Sequence, residues 1–297
     1  MLIKNLGKQF CEYSSYIRGY SGDTIKRYRV CINLYCSLSE IKKISEVNET
    51  NVRKFFYDGR TQRDWSTNTF ITYHKSLLVF FRWCVQEGHL EQNFAEDIEV
   101  PKLEKKLPPK LSRQEANRLL EVVYNYPYKY RYLRYRNHAI FSVFLFAGLR
   151  KRELIKLKLS DVDLENMSIF VYQGKGSKDR IIPIGSKLAE SLEKYLIERK
   201  RLKKTCPEFF ASLNRNCGFA DSGIKRLVEK IRDSSEIPFT IHKLRHTFAT
   251  LMLEGGCDIY SLSRMMGHAD IKTTTIYLAA SAEHLRSQIR KHPLDDY

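Results

Sequence analysis

A chain of 297 residues, 43% of them hydrophobic, is long and apolar enough for about two packed domains, which excludes wholesale disorder. Lys and Arg number 51 against 34 acids, a net charge of +17, so a polyanionic partner is expected. The excess is concentrated in residues 107–297, with 34 basic and 21 acidic side chains. The seven cysteines are scattered with no C-x-x-C pair, which favours free thiols in a reducing compartment over a disulfide framework or a zinc ribbon. No signal peptide opens the chain, and its longest apolar run, Ala139 to Leu149, is far short of the ~20 residues of a membrane span. The expectation is a soluble cytoplasmic protein with no membrane association.

Residues 1–100 read as a small helical domain. A helix follows the turn Ser21-Gly-Asp-Thr24, with Ile25, Tyr28, Ile32 and Tyr35 inward and Lys26, Arg27 and Arg29 outward. Those three cations are either a solvated face or phosphate contacts. Ser66 caps a long helix running toward Glu87 and stopped by Gly88, with Phe70, Tyr73, Leu77, Phe81 and Cys84 on its inner side. Residues 101–110, Pro-Lys-Leu-Glu-Lys-Lys-Leu-Pro-Pro-Lys, lack periodicity and read as a linker. Residues 111–297 form the second domain. A helical domain tethered to a more basic one could close on a duplex as a clamp.

In the second domain Ser112-Arg-Gln-Glu115 is a capping box that opens a helix through Val123. Tyrosines 124, 126, 128, 130, 132 and 135 then alternate with Lys129, Arg131, Arg134 and Arg136. Such a pattern either stacks on bases or packs its rings inward with the hydroxyls exposed. Ala139 to Leu149 is apolar all round and predicts a buried helix. The cation that follows, Arg150, is costly to bury unless paired, and Glu153 is placed to hold it. Arg150 is thus either an oriented phosphate ligand or an ordinary arginine at a helix end. Residues 168–172 and 180–184 are β-branched and aromatic runs around a glycine-rich turn, a hairpin with Lys175 at its tip. It is no P-loop, because G-x-x-x-x-G-K-S/T is absent. A long basic helix runs on to about Lys204.

From Thr240 to Tyr277 come His242-Lys-Leu-Arg245-His246, then Met266-Gly267-His268, and finally Tyr277. Arginine forms a planar fork of donors suited to phosphate, and tyrosine is a possible covalent nucleophile. These residues suggest phosphoryl transfer on a nucleic acid, with a phenol as the attacking group. His242 and His246, four apart, would also suit zinc on one helical face, but Lys243 stands where the glutamate of H-E-x-x-H would be. His246 reads as a hydrogen-bonded structural residue.

Gly148-Leu-Arg150 with Glu153, the Gly-Lys175-Gly hairpin, His242-x-x-Arg245-His246, Gly267-His268 and Tyr277 stand in the order and spacing of the tyrosine recombinase (phage integrase) family. The chain resembles that family over nearly its whole length and is closest in length to its Xer-type members. The resemblance implies a mainly α (α+β) fold, with an N-terminal helical core-binding domain and a catalytic domain carrying a small antiparallel sheet. It implies that Arg150 and Arg245 clamp the scissile phosphate, that His242 and His268 complete the cradle, and that Lys175 protonates the leaving 5′ oxygen. Tyr277 would attack to give a 3′-phosphotyrosine. No cofactor or metal is needed, since the phosphotyrosine conserves the ester bond for religation. The implied partners are double-stranded DNA, other protomers in a synaptic tetramer joined by a tail helix from Ser281, and accessory recombinase or directionality proteins. The implied role is site-specific recombination in mobile-element integration and excision, or in dimer resolution. A type IB topoisomerase-like nicking-closing enzyme and an inactive DNA-binding relative are the rivals. Lys151 and Arg152, Met266, and Asn93-Phe94 depart from the family's usual residues without touching the cradle.

Overall fold

The computed structural model describes residues 1–104, 107–172, 179–268 and 270–280, with residues 279 and 280 described by their backbone alone. The chain divides into two compact units, Met1–Lys105 and Lys106–Tyr297.

Unit one holds four helices of the expected kind: α1 (Ile3–Tyr16), α2 (Gly22–Leu38), α3 (Glu49–Thr61) and α4 (Thr67–Gln86). Local chemistry sets their starts, because Ser21, Asn48 and Ser66 each accept a backbone N–H of the first turn. α2 packs on α1 and α4 through Ile25, Tyr28, Ile32 and Tyr35, all buried as the helical spacing predicts. The core is aromatic: Phe10 meets Tyr28, Phe80 and Trp83, and Tyr35 meets Phe55 and Phe81 edge-on. The Tyr35 hydroxyl, buried among them, donates to Asn51 Oδ1.

Unit two is built around α6 (Arg131–Phe146), which packs against α5 (Arg113–Asn125), α8 (Ser186–Arg201) and α10 (Ile241–Glu254). Between α6 and α8 come the short α7 (Lys151–Lys156) and a three-stranded antiparallel sheet: β1 (Val162–Asp163), β2 (Ser168–Val171) and β3 (Arg180–Pro183). Ile169 pairs with Ile182 and Val171 with Arg180, so Ile169, Val171 and Ile182 turn inward. α9 (Asp221–Ser235), α11 (Ile259–Met266) and α12 (Lys272–Ala280) complete the unit. The fold is mainly α with one small antiparallel sheet. No helix among the described residues is long and apolar enough to cross a membrane.

One expectation changes. The buried helix begins at Arg131, not Ala139, and stops at Phe146. It takes in the second half of the tyrosine–arginine segment because side chains on and around its first turns carry those arginines. Arg131 lies over the Tyr135 ring and pairs with buried Glu198, and Arg134 lies over Tyr124. Arg136 is 5% exposed, 3.9 Å from the centroid of the Phe219 ring, and donates to Ala211 O and Asn137 Oδ1, so it is not a phosphate contact. Tyr132 is fully buried with its hydroxyl donating to Ala211 O, whereas Tyr130 stays exposed. Most of the segment therefore follows the inward-packing reading.

Candidate active site

The site starts where α6 meets α10. A Cβ on residue 148 would lie 2.3 Å from Phe248 Cδ1, and Gly148 has φ +60°, so only glycine lets the chain turn here at this distance. The close approach sets the Gly148 carbonyl against Arg245, whose Nη1 donates to it. Two residues on, Arg150 caps α7. Its backbone N–H donates to Glu153 Oε2 at 2.7 Å and its Nη1 to Oε1 at 2.8 Å, so the anticipated Arg150–Glu153 partnership is present.

The carbonyl end of α11 supplies the other half. A helix leaves its last carbonyls unpaired and carries about half a negative charge there. α11 ends with Gly267 in the left-handed region at φ +64°. Three successive carbonyls then each accept from a different arginine. Arg180 Nε donates to Met265 O at 2.7 Å, Arg245 Nη2 to Met266 O at 2.5 Å and Arg150 Nη2 to Gly267 O at 3.1 Å. Glu153 lies opposite and takes a bidentate fork from Arg180 at 3.1 and 2.8 Å. Burial pushes the Glu153 carboxyl up, but the hydrogen bonds and charge of Arg180, with those of Arg150, outweigh it and hold the group at about 2. Arg245 is pushed down to about 10, by burial first and by Arg150 next, and it remains charged at neutral pH.

Three guanidinium groups thus share one carboxylate among the described residues. With the helix end counted, a positive charge of about 1.5 stays uncompensated. Arg180 and Arg245 are nearly closed off, with 6% and 7% of their side chains exposed, while Arg150 keeps 40%. The cluster is therefore an anion cradle with Arg150 at its open edge.

His268 follows directly. Arg245 Nη2 lies 3.4 Å from its Nε2, and its Nδ1 lies 2.8 Å from the hydroxyl of buried Thr274. Because arginine can only donate, Nε2 is the accepting nitrogen and Nδ1 carries the proton. Burial, then Arg245, Arg150 and Arg180, push His268 down to about 4, so the ring is neutral. Tyr277, on α12, is 2% exposed and packs with Phe248, Leu253, Leu262 and Met266. Its hydroxyl is 2.8 Å from His246 Nδ1. Burial raises the phenol, and Arg245 and Arg150 oppose that rise. Burial, His242 and Arg245 in turn push His246 down. A neutral imidazole beside a phenol can accept its proton.

Arg150, Arg245, His268 and Tyr277 are thus gathered within one unit. His242 is exposed on the first turn of α10, one turn before His246. Lys175 lies outside the described residues, as does the tail from Ser281. Three participants escaped the sequence reading: Arg180, Thr274 and the bond from His246 to Tyr277. Only Arg180 left a readable trace. It shares strand parity with inward Ile182, so it is a cation on a buried face that needs a partner.

The model of the phage integrase family matches residues 109–284, and that of the phage integrase N-terminal SAM-like domain matches residues 6–89. The tyrosine recombinase XerA of Thermococcus onnurineus is 33% identical over 94% of this chain and 93% of its own length. The tyrosine recombinase XerD of Listeria monocytogenes serovar 1/2a is 32% identical over 98% and 99%. In fold, a crystal structure of the XerH site-specific recombinase bound to palindromic difH substrate, a post-cleavage complex, overlays with a TM-score of 0.74 at 21% identity, over 97% of this chain and 84% of that one. The two relatives define the class, tyrosine recombinases, and the solved structure shows the shared fold. The chain belongs to the phage integrase family, the tyrosine recombinases.

Proposed function

We propose that this chain cuts and rejoins double-stranded DNA at specific sites through a 3′-phosphotyrosine intermediate. The observation that carries this reading is the charge imbalance of the cradle. Three guanidinium groups around one carboxylate lack the negative charge that a phosphodiester brings, and a tyrosine is packed against the same helix end. Arg150 and Arg245 hold the non-bridging oxygens, where charge grows during attack and preorganised donors count most. His242 and His268 complete the cradle around the same phosphoryl group. The Tyr277 oxygen bonds to phosphorus while its proton passes to His246 Nδ1. The bond to the 5′ oxygen breaks, and Lys175 supplies the proton that this leaving group needs. Reversal with a new 5′ hydroxyl restores the phenol and joins the strands.

Residues 1–100 bind the core site and residues 111–297 carry the chemistry, joined by the linker at 101–110. The basic excess of residues 107–297 makes affinity fall steeply with salt. The tail from Ser281 docks on a neighbouring protomer and links a synaptic tetramer. Integration and excision of a mobile element, or resolution of dimers, is the role, with accessory recombinase or directionality proteins as further partners. The test uses a duplex that the wild-type chain selects from a random-sequence pool, nicked so that the released fragment is lost. Wild type accumulates a covalent adduct on it; Tyr277→Phe binds the same duplex within about threefold and forms none. An adduct in the Phe variant moves the nucleophile elsewhere.

A further inference from the structure

We propose that Arg180 is the positioning residue of the cradle: one guanidinium fixes Glu153 and the carbonyl end of α11 together, and through them sets the orientation of Arg150 and Arg245. The inference rests on reading those two arginines as the phosphate clamp.

All three nitrogens of Arg180 are engaged. Nη1 and Nη2 donate to the two oxygens of Glu153, and Nε donates to Met265 O. Its fork is committed to the carboxylate and its Nε to the carbonyl, so Arg180 acts on the clamp rather than on the phosphate. What it touches is what holds the clamp. Glu153 receives Arg150 twice, from the backbone N–H and from Nη1. The carbonyls just after Met265 receive Arg245 and Arg150. Arg180 also begins β3, the strand that packs on α11, so it ties sheet, helix end and carboxylate at one point.

Without it, Glu153 keeps Arg150 and the longer contact to Arg245, and the helix end loses its hydrogen bond from the sheet. The clamp arginines then lose the fixed frame on which phosphate geometry depends, and misplacement by about 1 Å costs on the order of 100-fold in rate. Lysine cannot substitute fully. Its ammonium is a point charge and does not present a planar fork to a carboxylate with a third donor to a carbonyl.

The test compares wild type, Arg180→Gln and Arg180→Lys on the selected nicked duplex, measuring binding and adduct formation between pH 5 and 9. For Arg180→Gln the expected result is binding within about threefold of wild type and adduct formation about 100-fold slower at neutral pH. The loss should deepen as pH falls, because Glu153 is without the strongest of the partners that hold it down against burial, and its carboxyl takes a proton more readily. Arg180→Lys should restore folding and part of the rate. A rate and pH profile matching wild type overturns the proposal, as does an equal loss of binding and cleavage. If the Gln variant does not fold, the Lys variant decides: about a tenfold loss at unchanged binding supports the proposal, and wild-type behaviour ends it. Absence of an adduct in wild type would count against the phosphate-clamp reading instead.

Discussion

Two of the buried arginines of unit two lie at nearly equal depth, Arg136 at 5% and Arg245 at 6% exposed. Arg136 is alone. Burial lowers its affinity for its proton, and it is satisfied by the Phe219 face, the Ala211 carbonyl and the Asn137 amide oxygen, with Tyr132 nearby. Arg245 is crowded by Arg150 and Arg180, and the one carboxylate within reach among the described residues is shared with both. Burial of a cation does not by itself mark a functional site, since hydrogen bonds and a ring face can complete it. Like charges held together with too few counter-charges do mark one, because the protein bears that cost only where a ligand relieves it.

The largest effect that could break this contrast is on catalysis. Arg245→Gln should slow adduct formation by about 100- to 1000-fold, as for the loss of one preorganised donor. Its melting temperature should hold or rise, because repulsion among the arginines is relieved. A collapse of stability with cleavage intact would put Arg245 in the same class as Arg136. Next, Arg136→Met should cost stability, about 1–3 kcal/mol, by leaving the Asn137 oxygen without its charged donor. The Tyr132 hydroxyl still donates to Ala211 O, which limits the damage. At a temperature where the variant is folded, its cleavage rate should stay within twofold of wild type.

The smallest effect sharpens the comparison through pH. His268 is held at about 4 in the folded chain, against about 6.5 when unfolded. The unfolded chain therefore binds this proton more readily, so the stability contributed is fully present above about 6.5 and is lost as pH falls toward 4. His246 shifts the same way. Melting temperature should drop over that window, and less so in His268→Gln. Inorganic vanadate, a phosphoryl mimic, should reduce the drop in wild type by supplying the missing negative charge. An equal effect of vanadate in Arg245→Gln would mean the anion binds somewhere else.

Much of this was legible before any coordinates. Ser66 and Ser112 marked helix starts through side-chain caps that act over three residues, and the β-branched and aromatic runs at 168–172 and 180–184 marked the two strands. Arg150 with Glu153 was readable because the pair is three residues apart. The start of α6 was not. Apolar content alone pointed to Ala139, whereas the preceding arginines are carried by Glu198, Tyr124 and Phe219 from other parts of the chain.

By itself the sequence determined the local frame and the inventory: which helices form, where a cation follows an apolar run, and which imidazoles and phenol are available in order. Tertiary structure alone decided that Arg180, Arg245 and Arg150 each take one of three successive carbonyls at the end of α11, and that His246 rather than the cradle holds the Tyr277 hydroxyl. The reason is distance along the chain. Caps and strand parity act within a few residues, but these partners lie 85, 21, 117 and 31 residues apart and meet only once α6, α10 and the sheet have packed.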